Sequence, residues 1–470
     1  MIVKTYDIQA KISVETYQNG MEDITDQVKR IQITQSINQP AAMFNISLLP
    51  TRDRNGSSWY YRLSPMDYVS IAFARHPKNF KTLPPVLRGF VDNVNENVMV
   101  DPTTGAPVRT YNLAGRDYGK IFQIAQIYYL VFEAQAIMYQ SRMNAAYKVP
   151  FSGSPCEIMK SLYEIGYQQL QAVQTTYKTI PLLSWKGNSD ILGIIEMYTA
   201  NSYDGNVWGL MKHIQNAPWN ELFIQELEQP TLIFRQTPWL DPSKPDQQIY
   251  VQGADSTYGQ TLQYIDLTPD DIIQFDITRS DAETRNYFFT RPVTSGLYDQ
   301  AFEQMAVVGM SGLGSLNSNP YYIPATDEYA GQNRYGFRYF EQASEYFNYV
   351  PGMTPSQFDT NAPSWVQFAQ KLNENLQKAM ARNSALESGM FVLKGNENIK
   401  PGYFLKWQNG AYYVETVQHD LSFLNNEVSF KTMAMVTRGT NYLVVKEKLD
   451  QFKKAALKDL RAYRSITGRY

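Results

Sequence analysis

The sequence predicts an α+β, multidomain chain in which two similar antiparallel β domains arise from an internal duplication and carry helical insertions. Three observations predict it. Short alternating runs fill roughly the first quarter of the chain, the apolar period then changes to three and four, and a set of early segments recurs in order near the end.

From Met1 to about Gly119, the runs VKRIQITQS, AMFNISLLP, DYVSIAF, VLRGFVDNV and VRTYNLAG alternate and are separated by Pro, Asn, Asp and Gly. This spacing predicts a small antiparallel sandwich or barrel over 1–118. KIFQIAQIYYLVF, PCEIMKSLYEIGYQQLQAV and DILGIIEMYTANS place apolar residues three and four apart, which predicts a mainly helical insertion over 119–215. WNELFIQELEQPTLIFRQTPW then resumes the β pattern as a hairpin around Glu228, Gln229 and Pro230.

The repeat is the most informative feature. Asp26–Ser36 aligns without a gap to Asp270–Ser280, sharing Asp, Ile, Thr and Ser and pairing Val28 with Ile272 and Ile31 with Phe275. SPMDYVSIAF from Ser64 answers to KPGYFLKW from Lys400, GFVDNVNE from Gly89 to YVETVQHD from Tyr413, and RTYNLAGRD from Arg109 to FKTMAMVTRG from Phe430. Val94 to Arg116 spans 22 residues and Val417 to Arg438 spans 21. Any two β meanders share turns and alternation, but four blocks in one order argue for duplication. The second copy then comprises 216–291 and 395–440.

Between those parts lies an insertion, 292–394, with a Gly/Ser/Asn-rich loop, GMSGLGSLNSNP, and a Tyr/Phe-dense stretch from Tyr329 to Tyr349. A helix is expected from near Pro363, its stripe of Trp365, Phe368, Leu372, Leu376 and Met380 serving to pack it. The last segment, 441–470, reads as a C-terminal amphipathic helix. Tyr442, Val445, Leu449, Phe452 and Ala456 keep strict 3-4 spacing before the pattern slips to Leu460 and Tyr463. Seven Lys/Arg face three Asp/Glu between Lys446 and Arg464. The stripe is a candidate partner-binding surface; a helix packed on its own domain with a solvated basic face, and a membrane-surface or nucleic-acid helix, are the other readings.

Composition excludes several function classes. The 43 Lys+Arg nearly cancel the 45 Asp+Glu, so nothing global favours nucleic acid or an anionic membrane. Sequence-specific nucleic-acid binding and membrane insertion are not expected. The 34 Tyr imply extensive packed or contact surface. Cys156 is the sole cysteine, leaving neither an intrachain disulfide nor a thiolate cluster. The N-terminus alternates instead of forming a signal peptide, and the expected setting is a reducing cytoplasm.

Catalytic motifs are missing from the text. His76, His213 and His419 lie far apart, outside any metal-ligand spacing. His419 and Asp420 follow YYVETVQ and read as a strand-end turn, while Gly309-Met-Ser311-Gly-Leu313 lacks the second glycine of a nucleophile elbow. Asp266, Asp270, Asp271 and Asp276 read as turn and edge residues, without the pattern of a calcium loop. No catalytic residue, cofactor or metal is expected.

ITQSINQPAAMFNISLLP, LSPMDYVSIAF followed by VLRGFVDNV and NLAGRDYGKIF, NELFIQELEQPTLIFRQTP, and IKPGYFLKWQNGAYYVETVQHD followed by TRGT together cover about half the chain. In that order they resemble the baseplate hub proteins of contractile-tailed bacteriophages, related to the hub portion of type VI secretion spikes. The resemblance implies two tube-like β-barrels per chain and three chains per ring, so that six barrels form a pseudo-sixfold face. It implies a structural hub in the virion tail baseplate, assembled in the host bacterial cytoplasm and serving genome delivery. The partners it implies are a homotrimer, tail tube protein, spike and other baseplate proteins, and tape-measure protein in the lumen. Two other classes stay open: a tail-associated peptidoglycan hydrolase using an acidic pair in the insertion, and a carbohydrate-binding tail protein with an exposed aromatic platform.

Overall fold

The computed structural model describes residues 8–50, 58–77, 81–100, 107–127, 152–189, 191–193, 195–196, 205–241, 244–249, 263–292, 322–344, 346, 369–408, 410–424 and 427–440. Over these residues the chain is α+β and mainly antiparallel β.

The first stretch supplies β1 (Gln9–Thr16), β2 (Gly20–Asp23), β3 (Val28–Ser36), β4 (Met43–Leu48), the short helix α1 (Trp59–Arg62), β5 (Tyr68–Ala74), β6 (Pro85–Val100) and β7 (Pro107–Asp117). In β3 a bulge at Lys29 lets Val28 and Ile31, three apart, face one core, after which Ile33 and Gln35 alternate inward. Each of these fully buried aliphatics contributes about 1.5–3 kcal/mol.

The middle of the chain forms α2 (Gly119–Ile124), α3 (Pro155–Gln174), β8 (Ser184–Gly187) and α4 (Val207–Ile214). Helix α3 starts at a capping box: the Glu157 amide donates to Ser154 Oγ at 3.3 Å, and the Ser154 amide donates to Glu157 Oε2 at 3.0 Å. Its apolar face, with Ile158, Met159, Leu162 and Leu170, packs on α2, α4 and the base of the first strand set. Two helical expectations are corrected here. After α2 the chain is extended at Gln126–Ile127, and DILGIIEM yields a short strand, Ile195–Glu196, paired with Ser152–Gly153. Gly193, at φ +124°, takes a conformation that a continuing helix does not contain.

The hairpin of β9 (Asn220–Glu226) and β10 (Pro230–Gln236) turns over Glu228 as the sequence predicts. Its other neighbour is β8, which pairs parallel with β10, so it forms a three-stranded sheet separate from the large one. The large sheet continues with β11 (Tyr264–Asp266) and β12 (Ile272–Arg279). Of the 292–394 insertion, β14 (Tyr339–Ser344) pairs parallel with β13 (Tyr287–Pro292), and a helix over 369–380 buries Leu372, Leu376 and Met380. Trp365 and Phe368 lie outside the described residues.

Strands β15 (Glu387–Lys394), β16 (Phe404–Trp407), β17 (Gly410–Leu424) and β18 (Glu427–Gly439) complete a 13-stranded sheet. Strand β15, within the insertion as read from sequence, pairs with both β12 and β18. His419 and Asp420 sit inside β17 and not in a strand-end turn, because β3 pairs with Thr416–Ser422 and keeps the strand extended to Leu424.

Pairing runs β3-β4-β7-β6-β5-β1 in the first strand set and β12-β15-β18-β17-β16-β11 in the second. The details recur as well. Bulges fall at Lys29 and Ile273, and again at Asp92 and Glu415. The bulged acid is held from the neighbouring strand both times, Asp92 by Arg116 at 2.6 Å and Glu415 by Thr437 Oγ1 at 3.0 Å. The turn before β5 has Met66 at φ +75°, its amide donating to Val91 O at 2.9 Å; the turn before β16 has Gly402 at φ +85°, donating to Val414 O at 2.8 Å. The two sets differ at their ends, where β1 meets β5 antiparallel and β11 meets β16 parallel.

Candidate assembly site

The two strand sets meet along β17 and β3, paired antiparallel from Thr416 opposite Ser36 to Ser422 opposite Arg30. Thr416 Oγ1 donates to Ser36 Oγ at 2.9 Å, and Arg30 Nε donates to Asp420 Oδ1 at 2.9 Å. Leu421, opposite Ile31, enters the first core together with Phe430, so this junction is a packed core as well as a ladder. Arg75, on the first set, reaches Asp271 at 3.3 Å, and its amide donates to Glu397 Oε2 at 3.1 Å.

The hairpin locks onto both sets through buried ions. At its tip Glu226 receives Arg88 Nε from β6 at 2.6 Å, while Lys400, from the second set, donates to the Glu226 carbonyl. Burial raises the Glu226 pKa above the ordinary carboxylate value although Arg88 pulls it down, and burial lowers that of Lys400. At the hairpin's other end Arg235 Nε donates to Glu221 Oε2 at 2.9 Å, and Arg235 Nη2 donates to the Gly402 carbonyl at 3.0 Å. The Tyr413 hydroxyl donates to Glu221 Oε1. Burial opposes the Arg235 charge, yet Glu221 and Tyr413 hold its pKa above the ordinary value. These side chains are spent on joining elements, largely buried against their partners.

His419 belongs to the same interior. Its Nδ1 shares a hydrogen bond with Thr432 Oγ1 at 3.0 Å, and its ring stands edge-on to Phe73. Burial, with Lys400 beyond it, pushes its pKa down to about 3, so it is a neutral packing residue. Asp420 turns instead to Arg30. Asp271 closes a turn by accepting the Thr268 amide at 3.1 Å, as expected of a turn residue. Among the described residues no His, Cys, Asp and Glu gather into a metal-holding cluster, and no helix is long and apolar enough to cross a membrane.

Two of the free strand edges carry exposed apolar side chains. Among the described residues β12 pairs only with β15, and beyond Val91 β6 pairs only with β7. Ile273 is 51% exposed and Phe275 49% on β12; Val98 is 53% and Met99 62% on β6. Exposed apolar strand edges of this length are assembly surfaces or aggregation hazards.

The candidate stripe Tyr442, Val445, Leu449, Phe452, Ala456, Leu460 and Tyr463 lies outside the described residues. Sequence reasoning missed Glu226 and Arg88, which are 138 residues apart, and also Glu221 and Arg235, although the predicted hairpin sets those two opposite each other. It also missed both edges, although the gapless match of Asp26–Ser36 to Asp270–Ser280 carried the signal, since Ile31 is buried and its counterpart Phe275 is not.

No family model matches the sequence. No curated protein matches it either. Among solved structures, the 43 kDa tail protein of prophage MuSo2 from Shewanella oneidensis is similar over 92% of this chain and 98% of its own, at 9% identity and a TM-score of 0.45. The tail protein from Neisseria meningitidis MC58 is similar over 92% and 97%, at 10% identity and a TM-score of 0.45. An E. coli component of the type VI secretion system is similar over 91% and 76%, at 9% identity and a TM-score of 0.39.

Proposed function

We propose that this chain is a structural, non-enzymatic hub of a contractile phage tail baseplate. Three copies close a ring that adapts a sixfold tail tube to a threefold spike. The observation that supports this is the recurrence of one six-strand pairing order, with the same two bulges and the same left-handed turn, in each half of the chain. In this reading the halves are duplicated tube-like barrels, 1–118 and 216–291 with 387–440, the second taking in β15 from the end of the insertion read from sequence as 292–394, and 119–215, 292–386 and 441–470 are additions to them. Two similar units per chain give a trimer six similar units in a circle, so one face matches a sixfold partner while the additions stay threefold.

The ring face takes tail tube protein, the additions take spike and other baseplate proteins, and the stripe from Tyr442 to Tyr463 is the candidate helix for an axial contact. Tape-measure protein occupies the lumen, and the ring assembles in the host cytoplasm before entering the virion. Native mass spectrometry of the purified chain, alone and with a spike protein, tests the stoichiometry. A species of three times 54.0 kDa is expected in at least one sample; a strict monomer in both contradicts the hub.

A further inference from the structure

We infer that β12 of one chain pairs antiparallel with the Asn93–Met99 stretch of β6 in a second copy of the same chain. This deepens the hub reading, on which it rests, by naming the surface and the register.

The argument transfers a contact that exists inside the chain. The turn bonds and bulges make β6 the counterpart of β17, with Asp92 matching Glu415, and make β12 the counterpart of β3, with Ile273 matching Lys29. Inside the chain, β17 beyond its bulge pairs with β3. Exchanging the halves puts β6 beyond its bulge against β12, and each of those edges is unpaired among the described residues. A single chain cannot satisfy the contact with itself, since its one internal junction uses the other member of each pair. A second copy satisfies it head to tail.

The transferred register is specific. Ser36 opposite Thr416 becomes Ser280 opposite Asn93, and Ile31 opposite Leu421 becomes Phe275 opposite Val98. Inside the chain, Ile31 and Leu421 are 1% and 0% exposed; Phe275 and Val98 are 49% and 53% exposed. The same apolar pair is therefore buried where both strands are present and open where only one of each is. Arg279 falls opposite Val94, diagonally beside Glu96 on the same face, so the one close charge pair is attractive.

The amide of Ile37 donates to the Glu415 carbonyl at 3.1 Å, which makes Thr34 and Gln418 a closely spaced, non-hydrogen-bonded pair. Their counterparts are Thr278 and Asn95, both exposed. Asn95→Cys and Thr278→Cys are made in separate chains, checked for folding by circular dichroism, mixed and mildly oxidised. Wild type, with Cys156 alone, is the control. A covalent species of twice 54.0 kDa is expected from the mixture. Asn97→Cys with Thr278→Cys, shifted by two residues and beyond disulfide reach, is expected to yield at least about tenfold less. No dimer above the control, or equal yield from the shifted pair, overturns the pairing. Phe275→Glu supplies a second reading without cysteines: association measured by sedimentation is expected to weaken at least about tenfold, and unchanged association counts against the edge. In-register cross-links in an assembly that is not trimeric sink the trimeric hub and leave this pairing standing. A trimer without the cross-link does the reverse.

Discussion

At the scale of single residues, the molecule's ionisable groups sort by burial. Arg235 and Glu221 have side chains 9% and 4% exposed, whereas Arg30 and Asp420 are 50% and 31% exposed. Removing one member of a buried pair strands the other charge, so Arg235→Met is expected to cost about 3–5 kcal/mol in denaturant unfolding, against less than about 1 kcal/mol for Arg30→Met. His419 titrates near 3 in the fold against an ordinary 6.5. The unfolded chain takes up a proton that the fold refuses, so this residue costs stability as pH falls from 6.5 towards 3. His419→Leu is expected to flatten the acid limb of the stability profile relative to wild type. Asp117 works in the opposite sense, because burial raises its pKa from 3.8 to about 7. The fold keeps a proton that the unfolded chain has released, and stability rises as pH falls through 7. Asp117→Asn, which keeps an acceptor for the Gly119 amide, is expected to raise the unfolding midpoint near pH 8 and to change it little near pH 4.

At the scale of elements, the left-handed turn recurs with Met66 in one copy and Gly402 in the other, and close packing makes glycine necessary only in the second. Gly402 has φ +85°, and a Cβ there would meet Arg235 Nη2 at 2.6 Å. Gly402→Ala is expected to destabilise by about 1–2 kcal/mol through the left-handed backbone alone, more once Arg235 is displaced, as an unfolding midpoint will show. The strands were legible because alternation and bulge position are local: Val28/Ile31 and Ile272/Phe275 break the two-residue period in the same way. The finer match was not. Sequence sets Gly89 on Tyr413, but Tyr68 faces Phe90 and Phe404 faces Tyr413, which moves the correspondence by one residue. Alternating strands carry no mark against such a slip. Strand β15 and the β8 to β10 pairing were hidden because their partners are distant in sequence, and DILGIIEM misled because apolar residues three and four apart also fit a buried irregular segment. Of the buried ion pairs, Glu221 with Arg235 follows from the hairpin register, whereas Glu226 with Arg88 left no sequence signal.

At the scale of the whole molecule, eleven of the thirteen strands form one path from β12 to β2, with β16 and β11 branching from β17, and among the described residues that path crosses from one strand set to the other only at β17 and β3. The chain thus contains one junction and half of each of two more. That arrangement explains why Phe275 and Val98 stand exposed while their counterparts Ile31 and Leu421 are buried. If the halves are equivalent units of a ring, a view down its axis must reveal twice as many lobes as chains. Electron-microscopic class averages of the purified assembly test this directly: six similar lobes around a lumen, with threefold features from the additions, are what the account requires. A ring with one lobe per chain, or lobes of two unrelated shapes, would contradict it.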